Sequence, residues 1–104
     1  MQTDIDTAQQ LIAILQDRSI SWAERDDAAI DLANFDLDFV LSALVEIAQD
    51  QTEDELILAS CGESIAEILL RRNLRHVELI QQLSIPARNE AKALIKVKSP
   101  NWIS

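Results

Sequence analysis

The sequence contains only one glycine and two prolines in 104 residues. These residue types punctuate most turns and strand ends, and β-branched and aromatic residues do not alternate here, so the sequence gives little support to β-strands. Apolar residues recur instead at spacings of three and four, as in Val40, Leu41, Leu44, Ile47 and Ala48, which is the period of an α-helix. The sequence therefore predicts an all-α fold.

Start and stop signals divide the chain into about six helices. Ser21 with Glu24 has the spacing of a capping box, and Pro86 falls in the first turn of the last predicted helix. The fourth helix is predicted to be the longest, over residues 53–72. Pro100 should stop the last helix and leave a tail, residues 99–104, that docks on the core or stays mobile. The other predicted start signals are Thr7 with Gln10, Asp36 or Asp38, Thr52 with Glu55, Asn73 and Ser84.

Length and composition predict a single helical domain, residues 1–104, with one modest core. Hydrophobic residues make up 48% of the chain, which is enough apolar surface for a folded protein rather than a disordered one. No apolar run approaches the length of a bilayer span, the first residues are acidic, and the single cysteine cannot form an internal disulfide. We therefore expect a cytoplasmic protein.

A weak internal repeat suggests how the helices are arranged. The stretch "RDDAAIDLA", residues 25–33, aligns without gaps with "LASCGESIA", residues 58–66, at an offset of 33. In this alignment Ala28 matches Cys61 and Ala29 matches Gly62. A small pair followed by aliphatic residues on the second helix of a hairpin resembles HEAT repeats. The resemblance implies three antiparallel hairpins in a stack, although HEAT units are usually about 40–47 residues long; a compact helical bundle is the alternative.

The stretch "CGES", which begins at Cys61, raises the question of a nucleophile with His76 as its base. A reactive thiolate needs exposure, preferably at a helix N-terminus, and a base within hydrogen-bond reach. Cys61 lies instead on the apolar stripe of the fourth helix, and His76 lies beyond a predicted loop. We therefore predict a buried thiol beside Gly62, at a place where two helices approach closely, and no catalytic residue.

Other side chains favour structural interpretations over chemistry. Glu63 and Glu67 could act as paired carboxylates, but a solvated helix face is favoured, and Glu67 is placed to pair with Arg71 four residues later. Asp36 with Asp38 lacks the glycine of a calcium loop, and His76 has no companion for zinc. The sequence predicts no enzyme, metal site or cofactor.

Charge is distributed unevenly along the chain. Residues 1–55 carry fourteen acidic side chains against two arginines, whereas residues 56–104 carry four acidic and seven basic ones. An acidic field repels nucleic acid and anionic membranes, so the sequence predicts a basic protein partner and binding to neither of those two surfaces.

The predicted contact surface for this partner is acidic. Stacked hairpins could join the acidic side chains of several helices, with residues 53–55 included, into one negative surface. Trp22, in the first turn of its helix, fits either the core or an interface anchor. The residues assigned to the partner-binding surface are Trp22, Asp26, Asp27, Asp31, Asp36, Asp38, Glu63 and Glu67.

This make-up, together with the stretch "CGESIAEIL", resembles the small all-helical immunity proteins of bacterial contact-dependent growth inhibition systems. The resemblance implies that the protein, as a monomer in a 1:1 complex, binds a basic toxin domain, such as an RNase or another nuclease, and masks its active site. The alternative is a HEAT-like adaptor or scaffold module that binds another basic protein.

Overall fold

Six α-helices make up most of the chain between residues 3 and 103, the part that the computed structural model describes. No strand occurs in this part, so the predicted all-α class is confirmed. Met1, Gln2 and Ser104, which belong to the predicted domain and tail, lie outside the described residues. The helices are α1 (Asp4–Gln16), α2 (Trp22–Asp31), α3 (Asp38–Ala48), α4 (Glu55–Arg71), α5 (Val77–Gln81) and α6 (Ile85–Lys98), with 3₁₀ turns at Leu32–Asn34 and Pro100–Trp102.

Two of the predicted helix starts show how local side chains select the first residue. The backbone N–H of Glu24 donates to Ser21 Oγ at 3.3 Å, as predicted for α2. The prediction for α1 is wrong by one turn, because Thr3 Oγ1 accepts the Asp6 N–H at 3.1 Å and starts the helix there. Thr7 lies inside α1, where its hydroxyl donates to the Thr3 carbonyl.

The predicted starts of α3 and α4 are also displaced. α4 is capped by Asp54, which accepts the N–H groups of Leu56 and Ile57 at 2.8 and 3.3 Å, and not by Thr52. Thr52 bonds instead to Asp50, two residues earlier. The N-cap of α3 is Leu37, which makes no side-chain hydrogen bond, so neither Asp36 nor Asp38 is a cap. Both aspartates are paired with arginines at the C-terminal end of α4.

Asn73 ends α4 and does not begin α5 as predicted. Its φ of 54° is left-handed, and the N–H groups of Asn73 and Leu74 donate back to the carbonyls of Leu70 and Leu69 at 3.1 and 2.8 Å. This hydrogen-bond pair is a Schellman motif, which satisfies carbonyls at the end of a helix. α5 is capped by His76, whose Nδ1 accepts the Leu79 N–H.

α2 and α6 pack on opposite sides of α4. On one side, Ser64 Oγ donates to the Ala29 carbonyl at 2.7 Å, and Ser60 donates to Asp26. On the other side, Gly62 lies directly against the backbone of Ala87. A helix turns by about 100° per residue, so Gly62 points about 160° away from the two serines. α4 is therefore the middle member of a row made of α2, α4 and α6.

The remaining helices form a second layer behind this row. α1 packs on α2 and α3, α3 packs on α4, and α5 packs on α6. The described chain measures 41 × 32 × 18 Å, and its smallest dimension corresponds to two helices of about 10 Å diameter. The six helices thus form three successive hairpins, α1 with α2, α3 with α4 and α5 with α6, in a compact all-helical arrangement.

The core is centred on α4, whose predicted apolar stripe is buried. This stripe consists of Leu58, Cys61, Ile65, Ile68 and Leu69. The C-terminal segment docks on the core, because Trp102 is buried in the turn that follows Pro100. The exposed helix faces and the spaces between helices are therefore the places where a functional site can lie.

Candidate partner interface

The outer face of the row formed by α2, α4 and α6 carries three of the predicted partner-binding carboxylates. Asp27 on α2 and Glu63 and Glu67 on α4 are exposed. None of their side chains has a hydrogen bond or ion pair within residues 3–103. By the turn of about 100° per residue, they lie on the side of their helix opposite its buried residues and away from the second layer.

The same face carries exposed apolar side chains that were not predicted from the sequence. Ile30 of α2, Leu56 of α4 and Val97 of α6 are half exposed or more, and Glu90 adds a fourth exposed carboxylate on the same side of α6 as Val97. Their exposure could have been predicted from the sequence, because each of these apolar residues falls out of phase with the buried stripe of its helix. We call this face the second-helix surface; its exposed residues are Asp27, Ile30, Leu56, Glu63, Glu67, Glu90 and Val97.

Trp22 and Asp31 border the second-helix surface. Trp22 is 57% exposed at the first turn of α2, so it is not a core residue. Asp31 is exposed at the end of the same helix. Asp31 points about 180° away from α4 and so lies at the outer edge of the stack. An exposed tryptophan is a residue type that interfaces favour.

Three other residues of the predicted partner-binding surface make hydrogen bonds to side chains of the protein itself. Asp26 is half buried and accepts a hydrogen bond from Ser60 Oγ. Asp36 accepts two hydrogen bonds from Arg71, at 2.9 and 2.7 Å from Nε and Nη2, and Asp38 accepts one from Arg72 at 2.9 Å. The predicted Glu67–Arg71 pair is wrong, because Arg71 binds Asp36 and the Ala33 carbonyl instead. The negative surface is thus interrupted by two arginines near residues 36–38.

A buried ion pair removes Glu53 from the predicted acidic surface. Arg25 is only 5% exposed; both of its terminal nitrogens bind the Glu53 carboxylate, and its Nε donates to the Leu15 carbonyl at 3.0 Å. Glu53 also accepts the Asp54 N–H at 2.9 Å, and Arg18 Nε lies 3.6 Å from its other oxygen. The burial of Arg25 could have been predicted from the sequence, because Arg25 lies three and four residues before Ala28 and Ala29, on the buried side of α2.

The environment of this pair keeps both groups charged. Burial alone would raise the pKa of Glu53, but the hydrogen bonds from Arg25 and Asp54 outweigh it, so the pKa of Glu53 lies below its usual value. Hydrogen bonding to Glu53 raises the pKa of Arg25. Glu53 is therefore an internal counter-ion and adds no free negative charge to the surface.

Cys61 has the structural environment that the sequence predicted. The side chain is fully buried, and burial raises the pKa of the Cys61 thiol to about 12. A thiol in this state is not ionised at neutral pH and is not a nucleophile. His76 is engaged elsewhere, as the cap of α5.

Within residues 3–103, no group of three or more His, Cys, Asp or Glu side chains is placed to hold a metal ion. None of the helices in this part of the chain combines the length and the apolar character that crossing a bilayer requires.

The charge asymmetry of the sequence becomes an asymmetry between the two outer edges of the stack. On α2, Glu24 and Asp31 point away from α4, and on α6, Lys92 and Lys96 do so. The α2 edge is therefore acidic and the α6 edge basic.

Comparison of the chain with protein-family models, with curated proteins and with solved structures finds no match.

Proposed function

We propose that this protein is an immunity protein that binds and neutralises a basic toxin domain, such as an RNase or another nuclease. The observation that carries the proposal is that, among the exposed carboxylates of α2 and α4, those of the predicted Asp27, Asp31, Glu63 and Glu67 have no hydrogen bond or ion pair within residues 3–103. They surround or border exposed apolar side chains. The acidic surface would cover the groove in which the toxin holds its anionic substrate.

Electrostatics explains why such a surface suits a basic partner. The protein carries a net charge of −9, and a concentrated negative field accelerates the encounter with a positive surface. A carboxylate already paired inside the protein contributes little to this field. The four unpaired carboxylates should therefore contribute more to binding than Asp36 and Asp38, which arginines neutralise.

Apolar anchors would add affinity to this steering. Most of the binding energy of an interface comes from a few residues, and tryptophan is enriched among them. Trp22 and Leu56 are 57% and 59% exposed, so a partner could bury both. The proposed interface then has apolar contacts close to charged groups, as expected for a specific protein complex.

The alternative proposal is a HEAT-like adaptor or scaffold that binds another basic protein. It is favoured by the side-by-side order of α2, α4 and α6, which is how second helices follow one another in a stack of hairpins. A further hairpin would need an apolar row on an outer edge. Both edges are mainly charged, with Asp31 on one and Lys96 on the other, which supports the immunity proposal over an extended scaffold.

Calorimetric titration against the toxin domain encoded immediately upstream of this gene tests the proposal, at low and at physiological salt. We expect binding in the nanomolar range or tighter that weakens as salt rises, because screening shortens the reach of the charges. Absence of binding under both conditions would contradict the immunity proposal and leave the adaptor as the leading one.

Charge-reversal variants test which surface makes the contact. Asp27→Lys/Asp31→Lys and Glu63→Lys/Glu67→Lys should each weaken binding at least about tenfold, which is about 1.4 kcal/mol. Glu46→Lys/Glu78→Lys is the matched control, because it changes the net charge equally at exposed positions on α3 and α5. Circular dichroism checks that all three variants stay folded. Equal loss of affinity in the control would show that net charge alone, and not this surface, determines binding.

A further inference from the structure

A cavity of about 270 Å³ lies between α5, α6 and the C-terminal turn, away from the proposed partner interface. Its interior is apolar, since it is lined by the buried Trp102 and by Val77 and Ile103, which are half buried. Its remaining lining includes Arg75, His76 and Lys92, which are exposed and nitrogen-bearing. The cavity therefore combines an apolar interior with a polar, largely cationic rim.

The three rim side chains present hydrogen-bond donors. Arg75 uses Nη2 to donate to the Trp102 carbonyl at 3.3 Å, which leaves its other N–H groups for a ligand. His76 Nδ1 accepts the Leu79 N–H at 3.4 Å, so in the neutral ring the proton is on Nε2, which can donate. Lys92 makes no hydrogen bond or ion pair within residues 3–103.

No carboxylate among the described residues lines this cavity. Glu78 lies at its margin, 3.9 Å from His76 Nδ1, with its side chain 82% exposed to solvent. The protein as a whole repels anions, since its net charge is −9. Binding of an anion here would therefore depend on the local cations at the rim and on burial of an attached apolar group.

We infer that this cavity binds a small organic anion in which one carboxylate or similar group is joined to a short chain or a single ring. The apolar part would contact Trp102 and Ile103 inside, and the anionic group would lie between Arg75 and Lys92 at the rim. The volume is just below the range of about 300–1,000 Å³ typical of ligand sites, which sets the small size of the ligand. The inference is independent of the toxin partner.

The intrinsic fluorescence of Trp102 reports on this cavity. The chain has two tryptophans, so the variant Trp22→Phe leaves Trp102 as the sole reporter. This variant is titrated with hexanoate and with phenylacetate, and the matched neutral probes are hexanol and phenylethanol. Acetate tests the anionic group without an apolar part. We expect saturable changes with at least one of the two acids, and at least about tenfold weaker binding of its alcohol and of acetate.

Rim variants in the same background identify the anion contacts. Lys92→Gln and Arg75→Gln should each weaken binding of the acid several-fold, and Lys96→Gln, an exposed lysine of α6 that does not line the cavity, is the matched control. Lys92→Gln is the decisive variant, because Arg75 also holds the C-terminal turn. The inference is overturned if neither acid changes Trp102 fluorescence, if the alcohols bind equally well, or if Lys92→Gln and Lys96→Gln behave alike.

Discussion

At the scale of single residues, Gly62 sets how closely two helices approach. A Cβ built at this position would lie 2.6 Å from both the Cα and the carbonyl carbon of Ala87, and closer still to the carbonyl oxygen. Glycine in the middle of a helix costs about 1 kcal/mol relative to alanine. Here the glycine lets the α4 and α6 backbones touch, and this close packing offsets that cost.

We predict that Gly62→Ala lowers the free energy of unfolding by about 3 kcal/mol or more, because overpacking against backbone cannot be relieved by a rotamer change. Urea denaturation measures the effect. The double variant Gly62→Ala/Ala87→Gly is a specific check: the clash is with the Ala87 backbone, so removing the Ala87 methyl group should not restore stability. Full rescue by the double variant would contradict this explanation.

At the scale of helices, the end of α4 performs two structural tasks. Asn73 reverses the chain in a left-handed conformation. Immediately before it, Arg71 and Arg72 donate to Asp36 and Asp38, which flank the start of α3. Positive side chains at a helix C-terminus also interact favourably with the helix dipole. This helix end therefore joins α4 to the beginning of the helix that packs against it.

We predict that Asn73→Ala lowers the free energy of unfolding by about 1 kcal/mol, because a residue with a Cβ and no local hydrogen-bonding group is disfavoured at positive φ. Asn73→Gly should leave stability unchanged or raise it slightly, since glycine is the residue most often found at this position of a Schellman motif. Thermal unfolding followed by circular dichroism compares the two. If Asn73→Ala and Asn73→Gly have the same thermal stability, the left-handed backbone conformation does not explain the contribution of Asn73 to stability.

At the scale of the whole molecule, the Arg25–Glu53 pair connects segments that are far apart in sequence. Arg25 on α2 binds both the last turn of α1, through the Leu15 carbonyl, and Glu53, which directly precedes the cap of α4. A charge left buried without its partner is costly, so removing one member destabilises more than replacing both by apolar residues. The first two hairpins are thus held together by a polar contact inside the stack.

We predict that Glu53→Gln lowers the free energy of unfolding at pH 7 by about 3–5 kcal/mol, and that Arg25→Met/Glu53→Leu loses less than this. The pKa of Glu53 is lower in the folded protein than its ordinary value of 4.5. Its contribution is therefore fully present above about pH 4.5 and is lost as the pH falls through the lower folded-state pKa. Urea denaturation of wild type and Glu53→Gln from pH 7 to pH 3 should show that their difference in unfolding free energy decreases at acidic pH. A difference that stays constant with pH would contradict this.

The sequence by itself determined the fold class, the number of helices and the buried stripe of α4. These properties follow from short-range periodicity, because residues three and four apart share one side of a helix. The same reasoning correctly placed Cys61 inside and Glu63, Glu67, Asp27 and Asp31 outside. Helix starts were less predictable. Thr3 and Thr7 are equally suitable caps by residue type, and Thr52 and Asp54 are both cap-forming residues, so the backbone selects one of each pair.

Only the tertiary structure decided which charges are free. Arg25 meets Glu53 across 28 positions and Arg71 meets Asp36 across 35, and such pairs exist only after helices distant in sequence have packed together. The same holds for the cavity, whose walls come from α5, α6 and the C-terminal turn. Periodicity predicts which side of a helix is exposed, but the partner of a side chain depends on which helix lies opposite, and packing over the whole chain determines that.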